Sequence, residues 1–302
     1  MSKMIGKHAM SKGWTVSAFG DEIAPELEPQ LEVLAEHGLR HVEFRSAWGT
    51  NVCDLSKEEL DRAARLLREA GIGVSAIASP VGKAPVQGDF DDELARFRAA
   101  LEAADSLGTP LIRVFSFYMP EGYHPSHRDE VLRRMSVLAG EAAVNGVTLV
   151  HENESYIYGD TADHCRDLID GVASPALSLA FDPANFVQVG VRPHTEAWPR
   201  LADAVAHFHV KDAVPIDRDG FDPYPAQVSP DRLMDSVRPA GEGEGELRPL
   251  MRELEGRDYR GFVTIEPHLA WRMPDASGAD RFATALAALK ALLNQLSSEE
   301  RS

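Results

Sequence analysis

Cysteine is scarce in this sequence, and long hydrophobic runs are missing from it. The 302 residues contain only Cys53 and Cys165, which are too few for a disulfide framework and do not stand at metal-binding spacing. No stretch reaches the roughly 18 apolar residues of a membrane span, and residues 1–14 hold no apolar core long enough for a signal peptide. We therefore expect a protein of the reducing cytoplasm with no membrane partner.

Basic residues are also in the minority. There are 31 lysines and arginines against 48 aspartates and glutamates, which gives a formal net charge of −17. A field of this sign repels phosphate backbones, so nucleic acid is not an expected partner. The sequence leaves a homo-oligomer open.

The organisation of the chain indicates one domain. With 44% hydrophobic residues the chain can bury a large core, and no Ser/Gly/Pro-rich linker divides it. We expect residues 1–13 to form a flexible tail and residues 14–298 to form the domain.

Short apolar runs alternate with longer segments of helical period from one end of the chain to the other. The predicted strands are residues 15–20, 41–45, 73–79, 111–117, 148–154, 177–182, 206–212 and 261–268. The predicted helices are residues 25–38, 57–71, 90–108, 127–146, 161–170, 195–204, 246–255 and 279–296. Eight such units predict a single (β/α)8 TIM barrel, in preference to an open doubly wound sheet or two smaller domains.

One long stretch, residues 213–245, lacks strong periodicity, which is typical of a functional or mobile loop. At its end "GEGEGE" (241–246) has the glycines of a flexible turn but no Lys–Ser/Thr sequel, so it does not predict a phosphate loop.

Ionisable residues gather at the ends of four consecutive predicted strands, in "VHENE", "AFD", "HFHVKD" and "IEPH". One such residue is common where a strand re-enters water, but in a TIM barrel these ends converge on a small volume. Like charges would repel there unless a cation lay among them. Three carboxylates and one imidazole, with no thiolate, predict one divalent metal ion. We expect Mn²⁺, with Mg²⁺, Co²⁺ or Zn²⁺ as alternatives, and two open positions that suit adjacent oxygens of a sugar.

The ordered set of motifs resembles a known family over nearly the whole chain. The motifs are "FGDEIAPELEPQLEVLAEHGLRHVEFR", "ASPVGK", "LVHENE", "FDPANFVQVGVRPHTEAW", "HFHVKDA", "PAGEGEGEL" and "GFVTIEPHL". Each is weak alone, but together they resemble the sugar phosphate isomerase/epimerase family of xylose isomerase-like TIM barrels.

The resemblance implies roles for individual residues. The family's metal ligands fall on Glu152, Asp182, His209 and Glu266. The family implies that the two glutamates are also the catalytic acid/base pair, one on each face of the substrate. Asn185 and Lys211 fall where the family contacts the substrate.

Four further residues, Glu43, Arg45, Lys83 and His268, are expected near the barrel mouth. They are candidates for contacts with substrate hydroxyls or a carboxylate, and surface salt bridges are the alternative interpretation. His207 lies two positions before His209 on the same face and is interpreted as a core group or as a group that supports the metal ligands from behind.

The implied function is a metal-dependent isomerase or epimerase of a carbohydrate, either a keto-sugar or a sugar phosphate, that transfers a proton through a metal-stabilised enediolate. The form "HVKDA" also resembles inosose-dehydratase-like members, so a lyase acting on keto-inositols, keto-sugars or oxidised glycosides is the alternative. An endonuclease IV-like repair nuclease would need further histidine ligands and a basic groove. A barrel that only binds sugars is opposed by the intact set of four ligands.

Overall fold

The computed structural model describes residues 13–120, 125–216 and 230–299. Eight parallel strands form one sheet: β1 (Thr15–Ala18), β2 (His41–Phe44), β3 (Gly73–Ala78), β4 (Leu111–Val114), β5 (Thr148–Glu152), β6 (Leu177–Phe181), β7 (Val205–Val210) and β8 (Phe262–Ile265). Neighbours in sequence pair from β2 to β8, and β8 pairs with β1. A parallel bridge between Phe19 and Glu43 links β1 to β2. The predicted (β/α)8 TIM barrel is therefore confirmed.

Helices lie between the strands along the chain and after the last one. They are α1 (Leu27–Glu36), α2 (Lys57–Ala70), α3 (Phe90–Leu107), α4 (Pro125–Val144), α5 (Ala162–Val172), α6 (Pro183–Gln188), α7 (Trp198–Leu201), α8 (Pro230–Ser236), α9 (Leu247–Gly256) and α10 (Gly278–Glu299). No helix in the described ranges is both long and apolar enough to cross a membrane. Residues 1–12 of the expected tail lie outside the described residues, and the domain limits 14–298 stay a prediction.

Helix α2 shows how local sequence sets the limits of these elements. Ser56 accepts a hydrogen bond from the Glu59 amide, and the Glu59 side chain accepts one from the Ser56 amide, which forms a capping box. The helix ends at Gly71, whose φ of 64° is a left-handed conformation that glycine adopts without strain. Leu60 and Leu67, two turns apart, are buried against the core.

The predicted strands run one to three residues past the ends that the structure shows. The extra residues leave the hydrogen-bonded ladder, and they include the candidate ligands Asp182 and Glu266. The short helix α6 is absent from the prediction. Asp182 begins it by accepting a hydrogen bond from the Asn185 amide at 2.9 Å, and Pro183 occupies its first position, where a missing N–H costs nothing.

The segment 213–245 is only partly described, because residues 217–229 lie outside the described ranges. Its base contains a two-stranded antiparallel ladder between Asp212–Ala213 and Val237–Arg238. Helix α8 precedes the second strand of this ladder. The base of the segment that the sequence indicates as a loop therefore contains regular secondary structure.

The glycines of "GEGEGE" hold a carboxylate of their own chain. Asp212, which is 1% exposed, accepts hydrogen bonds from the amides of Gly241, Gly243 and Gly245 at 2.8, 3.0 and 2.8 Å. It also accepts one from Ala213 at 2.9 Å. A Cβ on Gly243 would lie 2.3 Å from Asp212 Oδ1, so only glycine lets the backbone approach this closely. The turn is therefore a fixed clasp at the base of the segment.

We predict that Asp212→Ala lowers the free energy of unfolding by about 2–5 kcal/mol, because four amides lose their acceptor and an unpaired buried donor costs about 1–3 kcal/mol. Urea denaturation followed by circular dichroism measures the change. Asp129→Ala, in which the side chain removed is 77% exposed, is the control and is expected to stay within about 0.5 kcal/mol of wild type. Equal stability of the two variants would contradict the role of the clasp.

Candidate metal centre

Four side chains converge at the C-terminal ends of four neighbouring strands. Glu152 ends β5, Asp182 directly follows β6, His209 lies near the end of β7, and Glu266 directly follows β8. Each offers one ligand atom, and these four atoms all lie within 4.8 Å of one another. The structure therefore brings together the four residues that the sequence predicts as metal ligands.

The distances within this group leave room for a cation. His209 Nδ1 lies 3.7 Å from Glu152 Oε1, 3.7 Å from Asp182 Oδ2 and 3.6 Å from Glu266 Oε2. These separations are too long for hydrogen bonds. They fit ligand atoms about 2.0–2.2 Å from a shared ion. His209 Nδ1 is buried and has no hydrogen-bond partner in the described part of the chain, as expected of an atom that serves as a ligand.

Glu43 orients His209 from the layer of side chains below the ligand oxygens. His209 Nε2 lies 3.3 Å from Glu43 Oε1, and His207 Nε2 lies 2.6 Å from Glu43 Oε2. Thr264 Oγ1 lies 3.0 Å from the same His207 nitrogen. A proton on His209 Nε2 would be donated to Glu43, which leaves the lone pair of Nδ1 facing the ligand oxygens. This is the usual way in which a carboxylate fixes the tautomer of a metal-binding histidine.

Glu43 is therefore not at the mouth, and that expectation is wrong. Its side chain is fully buried. Burial alone would raise the pKa of Glu43, but the charges of His207 and His209 hold that pKa well below its usual range. Burial would lower the pKa of His209, but Glu43 and Glu152 raise it, so a cation that binds at Nδ1 would displace a proton from that nitrogen. His207 is a buried core group, as expected from the sequence.

Glu152 is held by a residue that the sequence analysis missed. Arg113 on β4 is 5% exposed, and its Nη1 lies 3.1 Å from Glu152 Oε2. Its Nη2 donates to the carbonyls of Ala78 and Ser79, both at 3.3 Å. Burial would raise the pKa of Glu152, but Arg113 and His209 lower it to about 2. An arginine inside the apolar run "LIRVFSF" was the available signal, since buried arginine requires a partner.

Asn185 joins two of the ligand strands. Its Nδ2 donates to Glu152 Oε1 at 3.0 Å and to the Asn153 carbonyl at 2.9 Å. Asn153 in turn exchanges two hydrogen bonds with the backbone of Asp182, both at 2.9 Å. Asn185 thus lies beside the ligands, where the sequence predicts it, and its contact with a substrate stays a prediction.

Lys211 reaches the same oxygens that face His209. Its ammonium lies 3.1 Å from Asp182 Oδ2, 3.4 Å from Glu266 Oε2 and 2.9 Å from Asn185 Oδ1. The residue is 5% exposed, and burial alone would lower its pKa. The carboxylates of Asp182 and Glu266 outweigh burial, so the pKa is raised and the ammonium stays charged.

Glu266 connects the metal group to the rim of the barrel. Its Oε1 lies 3.2 Å from His268 Nε2 and 3.4 Å from Arg45 Nη1. Glu22 accepts from the His268 amide at 2.7 Å, and its other oxygen lies 2.7 Å from His268 Nδ1. Burial opposes a charged imidazole, but Glu22 and Glu266 raise the pKa of His268 to about 9. Lys211 and His268 overcome burial to hold the pKa of Glu266 well below its usual range.

The two other mouth residues form ion pairs with their neighbours. Lys83 lies 3.2 Å from Glu154 and 4.3 Å above the Phe115 ring, with 36% of its side chain exposed. Arg45 donates to Asp21 at 2.7 Å. Both lie in salt bridges, the alternative that the sequence left open, and their contacts with a substrate stay predictions.

Two further groups in the described ranges have metal-ligand geometry. One consists of Glu43, His207 and His209, and the other of Glu22, Glu266 and His268. Each shares a member with the group of four, and their nitrogens already face carboxylates at 2.6–3.3 Å. The group of four is the best candidate because its imidazole nitrogen lacks a hydrogen bond.

Comparison with known proteins supports a barrel of this kind. The family model described as xylose isomerase-like TIM barrel matches residues 31–292. The chain belongs to this family. A comparison with curated protein sequences gives no match.

Solved structures with the same fold include the probable 3-DHS dehydratase AsbF from Bacillus anthracis. It is 19% identical, with a TM-score of 0.70 over 94% of this chain and 98% of that one. A D-tagatose 3-epimerase-like protein is 17% identical, with a TM-score of 0.70 over 95% and 99% of the two chains. The IOLI protein with a bound zinc atom is 13% identical, with a TM-score of 0.71 over 93% and 99%. At these identities the likeness concerns the fold.

We predict that Lys211→Met binds Mn²⁺ about tenfold more tightly than wild type. The Lys211 ammonium lies within 3.4 Å of two ligand oxygens, so it repels a cation bound among them, and methionine removes this charge at similar volume. Isothermal titration calorimetry of Mn²⁺ into metal-stripped protein measures the affinity.

Lys83→Met is the matched control, because its ammonium pairs with Glu154 outside the group of four, and its Mn²⁺ affinity is expected to equal that of wild type. Asp182→Ala removes a ligand and is expected to abolish high-affinity binding. Weaker binding by a folded Lys211→Met variant would show that the lysine supports the site and does not compete with the ion.

Proposed function

We propose that the protein is a metal-dependent carbohydrate isomerase or epimerase that moves a proton on the carbon beside a carbonyl. The observation that carries the proposal is the symmetric arrangement of Glu152 and Glu266. Each directs one oxygen toward His209 Nδ1, at 3.7 and 3.6 Å, and each has its other oxygen held by cationic side chains. Their strands, β5 and β8, lie three positions apart in an eight-stranded ring, so the glutamates approach the centre from different sides.

The proposed roles of the two glutamates follow from this arrangement. One glutamate, as a carboxylate, removes the proton. The other must take up a proton before the step and delivers it to the opposite face, which inverts the carbon. When bound, a divalent cation supplies Lewis-acid polarisation of the carbonyl and stabilises the negative charge of the enediolate. Arg113 fixes the Glu152 carboxylate, while His268 and Arg45 fix that of Glu266. Lys211 offers a further donor to an oxygen on which charge develops.

Mn²⁺ is the proposed ion, because three carboxylate oxygens and one imidazole, with no thiolate, suit a hard or borderline cation. Mg²⁺, Co²⁺ and Zn²⁺ are the alternatives, and the IOLI protein, which has a similar fold, holds a zinc atom. The proposed setting is a cytoplasmic protein that acts on a small carbohydrate and does not bind nucleic acid.

A lyase is the second candidate, and Lys211 is the observation that favours it. Its ammonium lies 3.4 Å from Glu266, so a base and an acid stand side by side in the pocket. After a glutamate has removed the proton, the ammonium could protonate a departing β-hydroxyl group, so that water leaves and a double bond remains. The fold shared with a probable dehydratase agrees with this chemistry.

We predict that wild-type protein with Mn²⁺ catalyses exchange of the proton beside the carbonyl of one or more keto-sugars or keto-inositols in D₂O. Glu152→Gln and Glu266→Gln are expected to slow this exchange by about 10²–10⁴-fold, the usual contribution of a general base. Proton NMR of a substrate panel records the exchange. An intact carbon skeleton indicates epimerisation, whereas loss of water or of an aglycone indicates elimination.

Glu141→Gln is the matched control, because Glu141 pairs with Arg98 on the outer helices, and it is expected to exchange at the wild-type rate. Calorimetry with Mn²⁺ accompanies each variant, since both catalytic candidates are also predicted ligands. The proposal fails if both variants fold, bind Mn²⁺ and exchange the proton as fast as wild type.

A further inference from the structure

A cavity of about 290 Å³ lies beside the candidate metal centre, between the loops that follow β1 and β8. Its lining includes Asp21, Glu22, Met234, His268, Trp271 and Arg281. His268 belongs both to this cavity and to the site, because its Nε2 lies 3.2 Å from Glu266 Oε1. The cavity therefore adjoins the Glu266 side of the centre. It has room for about ten water molecules at ~30 Å³ each, which is comparable to the non-hydrogen atoms of one sugar ring.

Trp271 gives this cavity an open aromatic wall. The residue is 51% exposed, whereas Trp14 and Trp198 are 4% and 3% exposed. Trp48 also reaches the surface, but the Arg62 guanidinium covers its ring at 4.3 Å. Among the residues that the structure describes, neither a ring nor a cation covers Trp271 in this way. Its indole face is available to the flat apolar side of a ligand.

The polar atoms of the cavity complement hydroxyl groups. Asp21 Oδ2 accepts from Arg45 Nε and from Ser46 Oγ, both at 2.7 Å. Asp21 Oδ1 is buried and has no hydrogen-bond partner within the described ranges. The carboxyl groups of Asp21 and Glu22 line the cavity, and carboxylate oxygens accept hydrogen bonds from hydroxyl groups. A phosphate dianion has no proton to donate and would meet the carboxylates of Asp21 and Glu22.

We propose that this cavity is a subsite for the distal ring of a two-ring carbohydrate whose reacting ring lies at the metal centre. Trp271 stacks on the apolar face of the distal ring, and the carboxylates of Asp21 and Glu22, which line the cavity, lie beside its hydroxyls. The inference rests on the proposed function for the placement of the reacting ring. It extends that function by naming the substrate class, a glycoside or disaccharide in place of a single sugar.

Binding of unreactive probes tests the subsite without turnover. Saturation-transfer NMR on the protein loaded with diamagnetic Mg²⁺ compares methyl α- and β-glucopyranoside with cellobiose, maltose, lactose and trehalose. At least one disaccharide is expected to receive saturation on both rings and to bind about tenfold more tightly than the methyl glucosides. Trp271→Ala is expected to remove the tenfold gain in affinity and the saturation of one ring. Trp271→Phe is expected to keep most of the affinity gain and most of the saturation of that ring.

Val144→Ala is the control at an exposed hydrophobic residue on α4, and it is expected to bind every probe as wild type does. The subsite is overturned if no disaccharide binds more tightly than the methyl glucosides, or if Trp271→Ala keeps the gain. Binding that depends on Trp271 without any proton exchange would refute the proposed reaction and leave the subsite standing. Proton exchange on single sugars without Trp271-dependent binding would refute the subsite and leave the proposed reaction standing.

Discussion

Mutual repulsion among buried carboxylates is the constraint on which the arrangement of the metal group and of the layer below it depends. Four of them, Glu43, Glu152, Asp182 and Glu266, are at most 3% exposed. Two unit charges about 4 Å apart interact by about 4 kcal/mol at an effective dielectric constant near 20, so such a group would not stay ionised without cations. The compensating side chains come from strands or loops all around the ring: Arg45, Arg113, His207, His209, Lys211 and His268.

The layers of side chains inside the barrel also fix the orientation of the His209 imidazole. His209 takes part in two layers, because its Nε2 faces Glu43 below and its Nδ1 faces the three ligand oxygens above. The alternation of side chains along β7 places His207 and His209 on the same inner face, two residues apart. Glu43 can therefore bind both imidazoles at once, and the lower layer decides which nitrogen of His209 is presented at the mouth.

Much of this arrangement is predictable from the sequence because it depends on period and position. Eight apolar runs separated by helical segments define the barrel, and the polar ends of four consecutive runs place Glu152, Asp182, His209 and Glu266 together. The depth of a side chain is harder to predict. Glu43 and Arg113 lie inside predicted strands, and only the contacts across the ring show that one supports His209 and the other Glu152.

Contacts between segments far apart in the chain are also hard to predict, because only the folded structure brings them together. The clasp between Asp212 and the glycines of 241–245 joins residues about thirty positions apart, and no local pattern links a carboxylate to those amides. Helix α6 is missed because its six residues are too few for a period to show. Its beginning can be recognised afterwards, since Asp182 followed by Pro183 is a good helix start.

The charge balance at the mouth also constrains what the proposed enzyme can accept. Six carboxylates lie in the metal group and around it: Asp21, Glu22, Glu43, Glu152, Asp182 and Glu266. Arg45, Arg113, Lys211 and His268 offset four of these charges, and a divalent cation would offset the other two. A neutral keto-sugar would enter such a centre without disturbing this balance, whereas a phosphate would bring about two further negative charges. Lys83 and Arg45, the cations expected at the mouth, are already paired with Glu154 and Asp21. Within the proposed function, the electrostatics therefore favour an unphosphorylated substrate, and the same reasoning favours hydroxyl groups over phosphate in the cavity beside Trp271.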